Sequence, residues 1–515
     1  MNALHINGNT LSLEELREVV RERRPVLLEP DARERVQRAR TVVEELVAND
    51  RLAYAITTGV GKLSDVRISR EQNRELQVNL LRSHAVGVGD PLGEAEVRAM
   101  MLLRANSLAK GLSGVRETVI DTLCEMLNRG VHPVVPSQGS VGASGDLAPL
   151  AHLALVLIGE GEAVLGGTRL SGAEAMKRAD IKPLALEAKE SISLINGTQA
   201  MLAIGCLTQL SAEVLADSAD VLGAMSLDAL HGTDAAFDER VHLARPHVGQ
   251  VMVAKHLRRM LEGSEIRASH LECARVQDAY SLRCIPQVHG AVRDTLAFSR
   301  QVFETEMNSA VDNPLVFVRQ SVPGEKTGAN AEGDIVSGGN FHGEPLAFAL
   351  DYMAIALSAL AGISERRIDR LVNPTSNEGL PPFLAAGAGL NSGFMMPQVT
   401  AAALASENKV LAHPASVDSI TTSGNKEDYV SMGMTAALKL QRVVSNTRLI
   451  LAIEAAAAAQ ALDFLSPVKS SKRCEQAKAV VRAVSPRVDQ DRVLAGDFVK
   501  LAEMIESGKL ADVLR

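Results

Sequence analysis

Large aromatic side chains are scarce in this chain: among 515 residues there are no Trp, four Tyr and ten Phe. Leu, Val, Ile, Ala and Met must therefore fill the interior, a set that suits closely packed helices. Cysteine is also sparse. The five residues Cys124, Cys206, Cys273, Cys284 and Cys474 are odd in number and form no C-x-x-C pair. That speaks against a disulfide framework and fits a reducing cytosol. Neither sign of charge dominates, since 54 basic and 62 acidic residues leave a net −8. Such a surface does not attract nucleic acid or anionic lipid. Residues 1–11 lack the basic segment and apolar run of a secretory leader. The most apolar late stretch, 449–465, carries Glu454 and Gln460 and is too short and polar to span a bilayer. The twelve histidines are scattered, without an H-E-x-x-H pair, so no catalytic metal is expected. No P-loop or dinucleotide fingerprint is present. A soluble, cytoplasmic protein without nucleic-acid or membrane partners is expected.

Hydrophobic residues make up 46% of the chain, as in ordinary globular proteins. The spacing of apolar residues predicts a mostly α protein built on a long helical bundle. Residues 4–11 read as an extended segment turning at Asn7-Gly8. Capping boxes are expected at Ser12/Glu15 and Asp31/Glu34, the second leading a helix with Val36, Ala39, Val43 and Leu46 on one face. Helical patterns continue through 93–130, 147–160, 199–224, 287–310, 343–371 and the Ala-rich 434–465. Few strands and no repeats are evident, and 321–334 reads as a surface loop. Two regions are expected: 1–205, carrying the loops considered next, and 206–515, the long-helix bundle. The polar, glycine-rich breaks at 54–61, 83–92, 136–146, 277–286, 311–317, 337–342 and 421–428 are where chemistry is sought.

The most informative break is Gly139-Ser140-Val141-Gly142-Ala143-Ser144-Gly145-Asp146, followed by Leu147-Ala148-Pro149-Leu150-Ala151-His152. An isolated Ala-Ser-Gly is only a flexible turn. This whole segment, however, resembles the signature of the histidine, phenylalanine and tyrosine ammonia-lyase family. The likeness returns at Ser193 to Gln199, Gln277 to Arg283, Asp312 to Phe317 and Ser337 to His342, and runs from about residue 5 to about 505. It implies a fumarase/aspartase-like helical architecture. It also implies a 4-methylidene-imidazol-5-one formed from Ala143-Ser144-Gly145, with no external cofactor. The residue types suit that chemistry. Gly145 lets its backbone nitrogen approach the Ala143 carbonyl carbon, and loss of the Ser144 hydroxyl leaves an alkene. The result is an electrophile that no ordinary side chain supplies.

The same resemblance gives roles to residues that could otherwise be packing or surface groups. Tyr54, in Tyr54-Ala55-Ile56-Thr57-Thr58-Gly59-Val60-Gly61, becomes the base that removes a β-proton. Arg283 holds the substrate carboxylate, a task its planar guanidinium suits. Gln277 and Tyr280 lie nearby, and a helical turn would put 277, 280 and 283 on one side. Asn196, which could equally cap a helix, lies beside the prosthetic group, and Phe341 lines the substrate pocket. The chain departs from the usual pattern at Ala55, Val60, Ile285, Lys426 and Tyr429.

Two positions bear on the substrate. Ser83-His84 resembles histidine lyases, where tyrosine and phenylalanine lyases show other pairs. Glu427 resembles them too, since the other branches usually place a glutamine there. An imidazole needs polar partners, which His84 and Glu427 can provide as a donor and an acceptor. A carboxylate buried against a benzene ring would be left unpaired. The reaction expected is L-histidine to trans-urocanate and ammonia. Tyrosine or phenylalanine lyases and aminomutases are the alternatives. The fumarase-type signature G-S-S-x-M-P-x-K-x-N is absent, and the intact tripeptide with Tyr54 and Arg283 speaks against an inactive scaffold. A homotetramer with shared active sites is a further implication of the resemblance.

Overall fold

Helix starts follow local chemistry, and one of them corrects the sequence reading. The helix Leu13–Arg21 opens on the expected capping box: Ser12 Oγ accepts the Glu15 N–H, and Glu15 Oε2 accepts the Ser12 N–H. The next helix, Pro30–Ala48, does not begin at an Asp31/Glu34 box. Its N-cap is Glu29, with no side-chain cap bond. Pro30 presets the helical φ and has no N–H to satisfy, so the helix begins ahead of Asp31. The computed structural model describes residues 2–49, 51–272, 276–319 and 333–515. Two compact units emerge: Met1–Leu207 with Arg300–Leu350 and Ala415–Leu438, and Thr208–Ser299 with Asp351–Pro414 and Lys439–Arg515.

In the first unit, Ala39, Val42, Val43 and Leu46 of the helix Pro30–Ala48 pack with Ile56, Ala188 and Val316. The helical pattern at 93–130 resolves into Glu94–Ala109 and Glu117–Arg129. The strands among the described residues are two to four residues long. Alternation over so few residues is hard to see in sequence. Leu4–Ile6 pairs in parallel with Val26–Leu28. Val88–Pro91 pairs antiparallel with Pro136–Gln138, with Val88 opposite Gln138. That pairing sets the 83–92 break beside the 136–146 break. Leu315–Val318 pairs with Gly333–Val336, so residues 333 and 334 are strand, not loop. The rest of the loop expected at 321–334 lies outside the described residues.

In the second unit, Ile450 and Ile453 of the Ala-rich helix Gly433–Phe464 pack with Ala361, Ile368, Ala401 and Ala405. The polar groups within the apolar 449–465 stretch are buried and bonded. Gln460 exchanges hydrogen bonds with Val488 backbone N and O. Glu454 takes both arms of Arg367 at 2.5 and 2.9 Å, and the hydroxyls of Ser226 and Ser364. Neither member of that ion pair has any side-chain exposure. The helices Gln199–Ala229 and Glu344–Val372 are long and apolar enough to cross a bilayer, but 72% and 67% of their apolar windows are buried inside the protein. Cys124, Cys206, Cys284 and Cys474 are free thiols. Cys273 lies outside the described residues.

Breaking a buried pair strands a charge, whereas replacing both partners does not. Glu454→Met is therefore expected to destabilise the protein by about 3–5 kcal/mol, and Arg367→Met/Glu454→Met to recover most of that loss. Urea unfolding of the two variants decides it: equal losses would show that the stranded charge is not the cause.

Candidate active site

Two glycines allow the central crossing. Gly145 and Gly197 form an isolated parallel bridge, and Asp146 N donates to Gly197 O at 2.7 Å. Gly145 has φ +74°, and a Cβ there would lie 2.1 Å from Gly197 O. Only glycine allows that approach in this backbone region. Its neighbours are placed accordingly. Ala143 is buried in a small apolar cluster with Val430 and Met432, while Ser144 keeps partial exposure.

Ser144 is held from two sides. Asn196 Nδ2 donates to Ser144 O at 2.9 Å, and Ser144 Oγ donates to Glu427 Oε1 at 2.5 Å. Asn196 closes the short helix Glu190–Ile195 as its C-cap, rather than opening the next one. Its Oδ1 is buried without a partner. The other oxygen of Glu427 accepts Thr422 Oγ1 at 2.8 Å, and the backbones of Thr422 and Glu427 form a bridge that folds the 421–428 break.

Asp146, to which the sequence pattern gives no role, is fully buried beside the Ala143-Ser144-Gly145 turn. Its buried carboxylate accepts Ser140 Oγ at 2.8 Å and the N–H groups of Ala200 and Met201 at 2.9 Å each. The anion thus meets the first turn of the helix Gln199–Ala229, where the helix dipole favours it. Burial pushes its pKa up to about 6, against the pull of these donors. The visible signal was an Asp just before an apolar run, but that signal points to capping of its own helix. The carboxylate instead serves a helix some fifty residues on.

His84 ends the helix Asn73–His84. Its Nδ1 lies 2.8 Å from Leu80 O. A carbonyl can only accept, so Nδ1 carries the proton and Nε2 the lone pair. His84 therefore offers an acceptor, not the donor that the pairing with Glu427 suggested. Burial lowers its pKa, while the Leu80 hydrogen bond and the Glu427 charge oppose that shift.

Tyr54 is half-buried, and its phenol oxygen accepts Gly61 N–H at 3.0 Å. Ala55, one of the departures from the usual pattern, takes φ +56°, a region that favours glycine. Lys62 of the same loop lies against Gly424. Phe341 is half-buried in a loop tied to the 139–146 loop by Gly343 N to Gly142 O at 3.1 Å. Next to it, His342 Nε2 donates to Tyr429 O at 3.2 Å, and the two rings stack. Lys426 is exposed.

Gln277, Tyr280 and Arg283 belong to the second unit. The short helix Tyr280–Arg283 holds two of them, and the Arg283 guanidinium lies over the Tyr280 ring at 4.6 Å. Gln277 precedes that helix in irregular chain, so the shared helical face expected for 277, 280 and 283 exists only for the last two. Arg283 Nε is buried without a partner, and no carboxylate among the described residues pairs with the guanidinium. Ile285 is buried and packs on Gly223.

An Ala-Ser-Gly turn drawn tight by a neighbouring backbone, in a largely helical scaffold, defines a class, and comparison with known proteins names it. The profile of the family described as aromatic amino acid lyase matches residues 11–483. The chain belongs to that family. A histidine ammonia-lyase of Koribacter versatilis is 72% identical over 515 residues, all of both chains. The solved histidine ammonia-lyase of Trypanosoma cruzi is similar with a TM-score of 0.90 and 40% identity, over 100% of this chain and 95% of that one. Tyrosine aminomutase from Streptomyces globisporus is similar with a TM-score of 0.91 and 37% identity, over 99% and 98%. The mostly helical, fumarase/aspartase-like fold expected from sequence is thus the fold of this chain.

Replacing Gly145 by Ala would put a methyl group into the Gly197 carbonyl and force alanine into the left-handed region. The expected loss of stability is at least about 1–3 kcal/mol from the backbone conformation alone. Denaturant unfolding checks this, and a variant as stable as the parent would show that the crossing tolerates a side chain.

Proposed function

We propose that this chain eliminates ammonia from L-histidine to give trans-urocanate, using a 4-methylidene-imidazol-5-one made from its own Ala143-Ser144-Gly145. One observation carries the reading: Ser144 is held by Asn196 and Glu427, with His84 within electrostatic reach of that same carboxylate. The loop fits the prosthetic group. Ala143 is small and buried, Gly145 has no room for a side chain, and Ser144 alone of the three keeps exposure. When formed, the group supplies an electrophilic alkene at Ser144 Cβ, conjugated to the Ser144 carbonyl and able to activate the substrate amine.

The protein's own groups do the rest. Asn196 Nδ2–H points at the Ser144 carbonyl oxygen and polarises it. The Arg283 guanidinium, free of any carboxylate partner among the described residues, grips the substrate carboxylate, with Tyr280 and Gln277 beside it. Tyr54 takes the β-proton, its phenol oxygen held in place by Gly61 N–H. The Nε2 lone pair of His84 and the Glu427 carboxylate both accept, so together they favour a ring bearing N–H over a benzene ring. Phe341 lines the pocket. The names of the relatives support histidine as substrate. The likeness to a tyrosine aminomutase supports a second reading, return of the ammonia to the β-carbon, which product analysis separates from simple elimination.

We also infer a cytoplasmic homotetramer whose sites are completed by neighbouring copies. The exposed Tyr280 and the apolar residues Met396, Val399 and Val410 exposed on the helix Met395–Leu411 support this.

Four measurements test the reading. Ser144→Ala should abolish urocanate formation, followed by its ultraviolet absorption, while leaving folding and oligomer size unchanged. The wild-type tripeptide should lack two waters by mass, and an unmodified mass in active enzyme would refute the prosthetic group. Arg283→Lys swaps a fork for a point charge and should cost about 1.5–3 kcal/mol of substrate interaction, the range for a hydrogen bond to a charged group. Unchanged KM and kcat would remove Arg283 from the site. Glu427→Gln should sharply lower turnover of histidine and reduce the His-to-Phe ratio of kcat/KM, because a neutral amide costs less beside a benzene ring. If wild-type enzyme prefers tyrosine or phenylalanine, or the ratio does not move, the histidine assignment fails and the lyase assignment stands.

A further inference from the structure

Arg104, on the helix Glu94–Ala109, has no solvent exposure and no carboxylate partner among the described residues. Its Nη1 donates to Asn196 O at 2.8 Å and to Gln199 Oε1 at 3.1 Å, and Nη2 reaches Ser107 Oγ at 3.4 Å. Its Nε is buried without a partner. The neighbouring carboxylate, Asp312, is taken by Lys189 at 2.9 Å, and both of those side chains are fully buried. Arg104 and Lys189 thus face a single anion in Asp312. Asp146 is held on Ser140 and two helix N–H groups, and Glu306 on Thr198. Burial lowers the Arg104 pKa only to about 10, so the charge persists at neutral pH.

The chain makes room for this cation. A Cβ on Gly197 would lie 2.4 Å from Arg104 Nη1 and 2.5 Å from Gln199 Oε1. Burying a charge without a counter-charge is costly. A neutral amide could donate to a carbonyl without that cost, so holding the turn in place does not account for a cation. What a cation adds is its field, and the group it grips carries that field toward the electrophile. Asn196 takes Arg104 on its backbone carbonyl and gives its side-chain amide to Ser144 O at 2.9 Å.

We propose that Arg104 is a positioning residue that fixes Asn196 against the Ser144 carbonyl and, by its buried charge, favours negative charge on that oxygen, making Ser144 Cβ a better electrophile. The proposal rests on the prosthetic-group reading. A wild-type tripeptide of unmodified mass would end that reading, whereas the comparisons that follow bear on Arg104 alone.

The test compares Arg104→Gln, Arg104→Met and Arg104→Lys with wild type in three ways. Mass spectrometry reports whether the tripeptide has lost two waters. Steady-state kinetics separate kcat from KM. Sodium borohydride traps the alkene, hydride adding to Cβ and water supplying a proton to Cα, and the gain of two hydrogens is timed by mass. Matured neutral variants should hold KM within about twofold while kcat and the trapping rate each fall on the order of tenfold or more, as when support for a developing oxyanion is lost. Arg104→Lys, which keeps the cation, should recover most of both. Wild-type trapping rates in a neutral variant, or a lysine variant as slow as the glutamine one, would overturn the proposal. If the neutral variants do not fold, the lysine variant decides alone: trapping within about threefold of wild type supports the field, and a loss of about tenfold contradicts it. If no variant gives folded, matured protein, Arg104 is structural only and the proposal falls.

Discussion

The close pass of two backbones at Gly145 and Gly197 is the constraint on which the rest of the candidate site depends. It sets Asp146 N on Gly197 O, turns Asn196 so that its side chain meets Ser144 O, and puts the Asp146 carboxylate on the first turn of a long helix. Gly197 serves a second purpose, because the guanidinium of Arg104 passes where its side chain would be. Two glycines, each required by a different neighbour, thus fix one serine between an amide donor and a carboxylate. Flexibility in this loop is a property of its sequence and not of its fold. The glycines are there for close approach, and hydrogen bonds from both sides take up the freedom they bring.

Much of this was legible because helices announce themselves over many residues. The capping box at Ser12, the buried face at Val36, Ala39, Val43 and Leu46, and the Ala-rich helix Gly433–Phe464 stand where apolar spacing put them. The breaks between helices were legible as well, and the glycine-rich 139–146 loop was the plainest of them. What stayed hidden involved partners distant in sequence or a choice between near-equal local options. Pro30 outcompetes Asp31 as a helix start by preset geometry. The strands Val88–Pro91 and Pro136–Gln138 are too short to show alternation, yet they bring the 83–92 break beside the 136–146 break. The proton on His84 Nδ1 depends on Leu80 O, so the imidazole reads as an acceptor only once the helix is in place. No local pattern in the helix Glu94–Ala109 marks Arg104 as different from a solvated arginine. Only its burial against a turn some ninety residues later does so.

Buried charges in the two units meet partners of different kinds. In the second, Arg367 and Glu454 neutralise each other and two serine hydroxyls complete the carboxylate. Asp220 is likewise surrounded, by Arg293, His256 and His289. Burial alone would raise its pKa, but these partners hold it well below the usual carboxylate range. Such clusters are locally balanced and suit a scaffold. In the first unit Arg104, near Ser144, lacks such a balance. Lys189 and Asp312 cancel, Asp146 is met by a helix terminus, and Arg104 is left with oxygen acceptors that carry no full charge. A buried imbalance of this kind is costly to stability, and it bears directly on Asn196, the residue whose amide meets Ser144.

Glu427 shows how maturation and specificity share one carboxylate on the proposed reading. In the unreacted chain Oε1 is occupied by the Ser144 hydroxyl, and Oε2 by Thr422. Forming the alkene removes that hydroxyl as water. Oε1 then faces the site without a donor, and an unpaired carboxylate oxygen in a partly buried place is unfavourable until something fills it. A benzene ring cannot. A ring with an N–H can, and the lone pair of His84 Nε2 lies on the same side of the ledger, accepting and not donating. The step that creates the electrophile therefore also vacates the acceptor that selects the substrate. On that proposal, selectivity for a nitrogen heterocycle follows from the same hydroxyl loss that makes the alkene.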